Sequence, residues 1–131
     1  MLTADNDDNQ SSRNPDGDCL GGALAYQAAA HSGVDAAACY YGVAIEKQLD
    51  VADKITCPLL VAHGENDRQV PLWMAQKTYD EAVNSPNRKL KIFRLDEGGA
   101  EHCQIDNRQL IGDVMSDWAA EIFGLDPAGI R

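Results

Sequence analysis

The stretch Gly17-Asp18-Cys19-Leu20-Gly21-Gly22 places a cysteine among glycines, immediately ahead of a run of small apolar residues. A nucleophile held on a tight turn at a helix start needs such small neighbours, because the turn crowds the backbone. There the unpaired N–H groups and the helix dipole favour thiolate. The N–H of Leu20 would face an oxyanion formed on an attacked carbonyl. A glycine-rich helix start with a buried cysteine remains the alternative that this segment alone leaves open. Farther along, His63-Gly64-Glu65-Asn66-Asp67-Arg68-Gln69-Val70-Pro71 offers acids in a loop, although Asn66 and Asp67 suit a plain turn equally well. Gly98-Gly99-Ala100-Glu101-His102-Cys103 then supplies a histidine. A single loop histidine is usually just solvated. The chain order of nucleophile, acid and base gives the three together more weight than each has alone.

Such residues meet only if the elements carrying them end at one edge of a sheet. Residues 20–31 are small and apolar almost all round, which predicts a helix buried on most sides, with Gly33 as its stop. Three short apolar runs, Ala36–Tyr41, Pro58–His63 and Leu90–Leu95, read as strands. The first two are nearly continuously apolar, as in parallel strands covered on both faces; the third is mixed and nearer an edge. Pro71–Asn84 reads as a helix with Leu72, Ala75, Tyr79, Ala82 and Val83 on one face, stopped by Ser85-Pro86. A last helix, about Asn107–Phe123, carries Leu110, Ile111, Val114, Met115, Trp118 and Ile122 at helical spacing. Helix, strand, strand, helix, strand, helix is a parallel α/β layout, and it sets the acid and the histidine in loops after strands.

With 131 residues the chain suits one domain with a modest core. Eleven Lys and Arg against 21 Asp and Glu give a net charge of −10, which excludes nucleic acid as a ready partner and disfavours anionic membranes. No apolar run is long enough to span a bilayer, and the first residues lack the basic and apolar regions of a signal peptide. A cytoplasmic location is therefore expected. Cys19, Cys39, Cys57 and Cys103 are widely spaced without a C-x-x-C pair, which argues against a disulfide framework. His31, His63 and His102 are too scattered to suggest zinc, so neither a metal nor a cofactor is expected.

The order nucleophile, acid, histidine is that of the α/β-hydrolases. Gly-Asp-Cys-Leu-Gly-Gly-Ala-Leu-Ala-Tyr at 17–26, with Asp-Ala-Ala-Ala-Cys-Tyr-Tyr-Gly at 35–42, resembles the dienelactone hydrolase family, whose nucleophile is cysteine. The loops around Asp67 and His102 resemble the superfamily's acid and histidine loops, and the resemblance covers roughly residues 17–123. It implies a partial α/β-hydrolase fold of about three parallel strands with flanking helices. It also implies Cys19 as nucleophile, His102 as base, Asp67 as orienting acid, the Leu20 N–H as oxyanion donor and Tyr41 near the substrate. Glu65 and Glu101 are nearby acids, but Asp67 alone sits three residues before the Val-Pro that follows the family's acid. The implied reaction is cleavage of a small-molecule ester or lactone through a thioester on Cys19.

The family's members are much longer, and the resemblance leaves out their N-terminal half, with its first strands and second oxyanion donor. Asp106 stands where the family often has a carboxylate-binding arginine, and there it would repel an anion. Residues 1–18 are acidic with few apolar groups and are expected to be a disordered arm; 19–125 form the truncated domain and 126–131 a tail. The Ala36–Tyr41 strand is then expected to present an unpaired edge, which invites homo-oligomerisation. The alternative function is a non-catalytic hydrolase remnant acting as an interaction or complementing fragment. A thiol redox role for Cys19 is a more distant third.

Overall fold

The computed structural model describes residues 2–4, 20–40 and 45–126. Among these residues four parallel strands form one sheet in sequential order: β1 (Leu2–Ala4), β2 (Ala37–Tyr40), β3 (Leu59–Gly64) and β4 (Arg88–Phe93). Three helices flank it, α1 (Leu20–His31), α2 (Leu72–Glu81) and α3 (Arg108–Phe123), together with a 3₁₀ stretch over Ile45–Lys54.

The strand alternation explains the layers. Ala37 and Cys39 of β2 and Leu59 and Val61 of β3 point to one face, where they pack with Ala23, Tyr26 and Ala29 of α1 and with Ala75 of α2. Ala36, Ala38 and Leu60 point to the other face and meet Trp118 of α3, while Tyr40, Ala62 and Phe93 meet Ile111. Because helices cover both faces, β2 and β3 are buried at every residue, which is why they read as unbroken apolar runs. The Tyr26 hydroxyl donates to the Thr78 carbonyl at 3.2 Å, fastening α1 to α2.

β4 lies at the edge and carries Arg88, Lys89 and Lys91, charges that discourage further pairing. Arg88 also serves α2: its Nη1 donates to the carbonyls of Tyr79 and Asp80 at 2.7 and 2.9 Å, groups the last helical turn leaves unpaired. Gly33 adopts a φ of +60° just past α1, the stop its position predicted.

Two expectations are corrected, and one element is new. The inner edge of β2 is not open, because Leu2, Thr3 and Ala4 pair with Ala37, Ala38 and Cys39. This ladder satisfies buried backbone groups of β2 that an unpaired edge would leave without partners, and it takes Leu2–Ala4 out of the expected disordered arm. Residues 5–19, the rest of that arm, lie outside the described residues. Next, α2 ends at Glu81, and Ala82 leaves helical geometry at φ −80°, ψ 55°. The chain therefore turns before Val83, which is 64% exposed instead of sharing a face with Ala75. Leu72, in the first turn, is exposed as well. Finally, the 3₁₀ stretch was not anticipated, although its Val51 and Ala52, with Ile55 just beyond, complete the core beneath α1.

Candidate active site

The loops that follow β3 and β4 leave neighbouring parallel strands at the same edge, the carboxyl end of the sheet, where ligands bind in open α/β folds. β3 ends at Gly64, and this residue has no room for a side chain: a Cβ there would lie 2.2 Å from the carbonyl oxygen of Ala100. The close approach lets the Asn66 N–H donate to that same carbonyl at 2.9 Å, and the Asn66 side-chain amide donates to Glu101. The two loops are thus joined backbone to backbone.

Asp67 sits in the middle of the first loop with its side chain fully buried. Its Oδ1 accepts the N–H groups of Gln69 and Val70 at 2.7 and 2.9 Å, a turn the aspartate makes with its own downstream backbone. Its Oδ2 meets Nδ1 of His102 at 2.6 Å. Glu65 and Glu101 do not compete for this role. Glu65 accepts the N–H of Leu95 at 2.9 Å, and Glu101 accepts from Asn66.

The second loop bends through left-handed conformations, with φ of +78° at both Gly98 and Gly99. The Asp106 carboxylate fills the concavity of backbone donors so formed, accepting the N–H groups of Gly99, Ala100 and Glu101 at 2.6, 3.2 and 3.3 Å. Its charge is therefore spent on the loop that carries His102. Gln104 is fully buried beneath the loop, with Nε2 donating to the Gly99 carbonyl at 3.0 Å. Cys103 and Gln104 are themselves left-handed, at φ 52° and 50°.

The electrostatics follow from these contacts. Burial opposes a charge on His102, but the Asp67 carboxylate and the neighbouring Cys103 outweigh it and raise the imidazole to about 9. Burial likewise pushes the Asp67 acid up; the hydrogen bonds from His102 and the two backbone N–H groups win, and hold it below the usual carboxylate range. At neutral pH the pair is a carboxylate beside an imidazolium. Desolvation raises the thiols of Cys39 and Cys57, which are buried in the core and suited to packing.

The structure brings Asp67 and His102 together. Leu20 opens α1, which sets its backbone N–H among the unpaired donors of a helix N-terminus. Cys19 and Tyr41 lie outside the described residues. His63 carries no role in the sequence reading beyond the metal ligand it argues against. It is buried at the end of β3, its Nε2 lying 2.7 Å from the Val70 carbonyl and 3.7 Å from Asp67 Oδ2. A histidine closing an otherwise apolar strand, four residues before an acid, was the signal that could have found it.

Residues 16–114 match the model of the dienelactone hydrolase family. The chain belongs to that family. A carboxymethylenebutenolidase of Pseudomonas putida is 49% identical over 55 residues, 42% of this chain and 23% of that protein. Carboxymethylenebutenolidase 1 of Cupriavidus pinatubonensis is 44% identical over 54 residues, 41% of this chain and 23% of the relative. Among solved structures, Est1E of Butyrivibrio proteoclasticus with bound ferulic acid superposes with a TM-score of 0.64 at 16% identity, over 80% of this chain and 57% of that one. The matches thus span well under two thirds of these proteins. The fold is a partial α/β-hydrolase, and no helix among the described residues is long and apolar enough to cross a membrane.

Proposed function

We propose that this chain carries the catalytic half of a hydrolase that opens an ester or lactone through a thioester on Cys19. The observation that supports it most is the 2.6 Å contact between the buried Asp67 carboxylate and Nδ1 of His102. This contact holds the proton on Nδ1 and directs Nε2 toward proton transfer with a nucleophile. A serine nucleophile needs a neutral imidazole to deprotonate it, whereas an imidazole raised to about 9 suits a resting thiolate–imidazolium pair. The thiolate of Cys19 attacks the carbonyl carbon, and the oxyanion rests on the Leu20 N–H. As the intermediate collapses, His102 gives its proton to the departing alkoxide, leaving an acyl thioester. Water then loses a proton to His102, attacks the thioester, and releases the acid and the Cys19 thiolate beside the imidazolium. The names of the carboxymethylenebutenolidase relatives favour a lactone among the substrates.

Alkylation by iodoacetamide against pH, located by peptide mass spectrometry, tests the assignment. Cys19 is expected to react well below the free-thiol pKa of about 8.5, and to lose that advantage in His102→Ala. Cys39 and Cys57, buried in the core, are expected to react slowly in both. With p-nitrophenyl acetate, release of nitrophenol should disappear in Cys19→Ala. A Cys19 that titrates as an ordinary thiol in both proteins, with no ester cleavage, sinks the proposal and favours a non-catalytic remnant.

A further inference from the structure

His63 has no task in the reaction proposed above, yet it is an ionisable side chain only 2% exposed, set directly beside the acid. Its Nε2 is 2.7 Å from the Val70 carbonyl oxygen. A carbonyl can only accept, so that nitrogen carries a proton. Val70 is in turn tied to the acid, because its own N–H donates to Asp67 Oδ1 at 2.9 Å. One peptide unit on each side of Val70 is therefore fixed, the first by Asp67 and the second by His63. The same Nε2 lies 3.7 Å from Asp67 Oδ2, on the oxygen that faces His102.

We infer that His63 is a positioning residue: by closing the loop from Gly64 to Val70 through the Val70 carbonyl, it sets the Asp67 carboxylate against Nδ1 of His102. The inference rests on Asp67 and His102 acting as a pair, and not on the nucleophile or the substrate. Asp67 from its own loop and His102 from the neighbouring loop are the ionisable groups that face it. Burial keeps the His63 imidazole neutral by pushing its pKa down, so it does not draw the Asp67 charge away from His102. A purely space-filling residue would be replaced without consequence by an apolar side chain of similar bulk. A donor to Val70 would not, since the buried carbonyl then loses its partner.

The test reads His102 directly and needs no turnover. In the unmodified protein, two-bond ¹H–¹⁵N correlation should find His63 neutral at neutral pH with its proton on Nε2, and still neutral while His102 titrates above it. In His63→Leu, the His102 midpoint should fall by about one pH unit or more, and the downfield signal of its Nδ1 proton should be lost. In His63→Gln, whose amide can still donate to Val70, both should be largely retained. A His63 proton on Nδ1, or a His63→Leu protein whose His102 titrates unchanged, overturns the inference. If His63→Leu does not fold, the tautomer in the unmodified protein decides alone. Loss of hydrolysis in all proteins with these signals intact would count against the proposed reaction and leave the role of His63 standing.

Discussion

The acid loop after β3 and the histidine loop after β4 leave adjacent strands, turn at the same edge and end on the same hydrogen bond, but they are built by different means. The bonds that set Asp67 within the acid loop are local, Asp67 to Gln69 and Val70 and His63 to Val70, with no left-handed residue among them, although Asn66 also reaches across to Ala100. The histidine loop runs through four left-handed residues, Gly98, Gly99, Cys103 and Gln104, and two of these are not glycine. Such a conformation costs roughly 1–2 kcal/mol for a residue with a Cβ. It persists because Asp106 ties down three N–H groups and Gln104 is buried against Gly99. The acid is thus placed by its own turn, and the histidine by a clamp supplied from outside the loop's tip. The histidine loop is the easier of the two to dislodge, and mutations can separate the two cases.

The largest effect is expected where the loops touch. Gly64→Ala puts a methyl group, borne at the end of β3, 2.2 Å from the backbone oxygen of Ala100. No rotamer relieves that clash, so the strand end and the histidine loop must part. A loss at or above the upper end of the roughly 1–3 kcal/mol typical of overpacking is expected, read by urea denaturation, together with loss of the His102–Asp67 signal by NMR. Unchanged stability would mean that the loops are not in contact as described.

Asp67→Asn comes next, and its sign depends on pH. His102 has a folded pKa of about 9, above its unfolded value near 6.5, so its stabilisation is complete below about 6.5 and fades as pH rises through 9. Asp67 is held below its ordinary value, so its part of the same interaction is present above about 3.9 and lost as pH falls through the lower folded value. The unmodified protein should therefore be most stable in the window between, by an amount on the order of 3 kcal/mol shared by the pair. In Asp67→Asn the decline between about pH 6.5 and 9 should shrink, because the asparagine no longer draws a proton onto His102 and only the part contributed by Cys103 is left. Thermal unfolding across that range gives the answer, and an unaltered slope would show that the imidazolium owes little to Asp67.

How much of this the chain announces in advance follows from which interactions are periodic. β2 and β3 were legible because burial on both faces leaves an apolar run; α3 was legible because Ile111 and Trp118 repeat at helical spacing along one stripe. Asp67 and His102 were legible through their order and flanking residues, the local chemistry of loops after strands. Other features carry no such periodicity. Leu2–Ala4 pairs through its backbone, which any three residues can do, and nothing in their side chains marks the strand. Within the 3₁₀ stretch the buried Val51 and Ala52 are two small residues flanked by Asp50 and Asp53, with no repeat that marks a face in the sequence. Asp106 reads only as a charge that would repel an anion, since the backbone N–H groups it accepts are brought to it by a left-handed turn.

That clamp offers the next test. Asp106→Ala removes a charged acceptor from the N–H groups of Gly99, Ala100 and Glu101. Asp106 is itself exposed, so solvent can replace part of what is lost, and a cost of about 1–2 kcal/mol is expected by denaturant titration. The informative comparison is with hydrogen exchange. Amides of Gly99 to Glu101 should exchange much faster in the variant while those of Gln69 and Val70 change little, because the acid loop carries its own bonds. Equal acceleration in both loops would mean that they open as one unit.

Gly112→Ala is the smallest change and calibrates the others. Gly112 is an exposed residue inside α3, and a Cβ there meets nothing within 4 Å. It makes no turn and touches neither loop. Replacing it should stabilise the protein by roughly 0.5–1 kcal/mol, the helix-propensity difference between glycine and alanine. The same substitution is thus expected to change sign between Gly112, in an open helix position, and Gly64, at a crowded strand end. A gain at Gly112 with no movement of the His102 titration would place the strain of Gly64→Ala at the loop contact. A loss at Gly112 would instead mean that α3 is held less tightly on the sheet than its Trp118 and Ile111 contacts indicate.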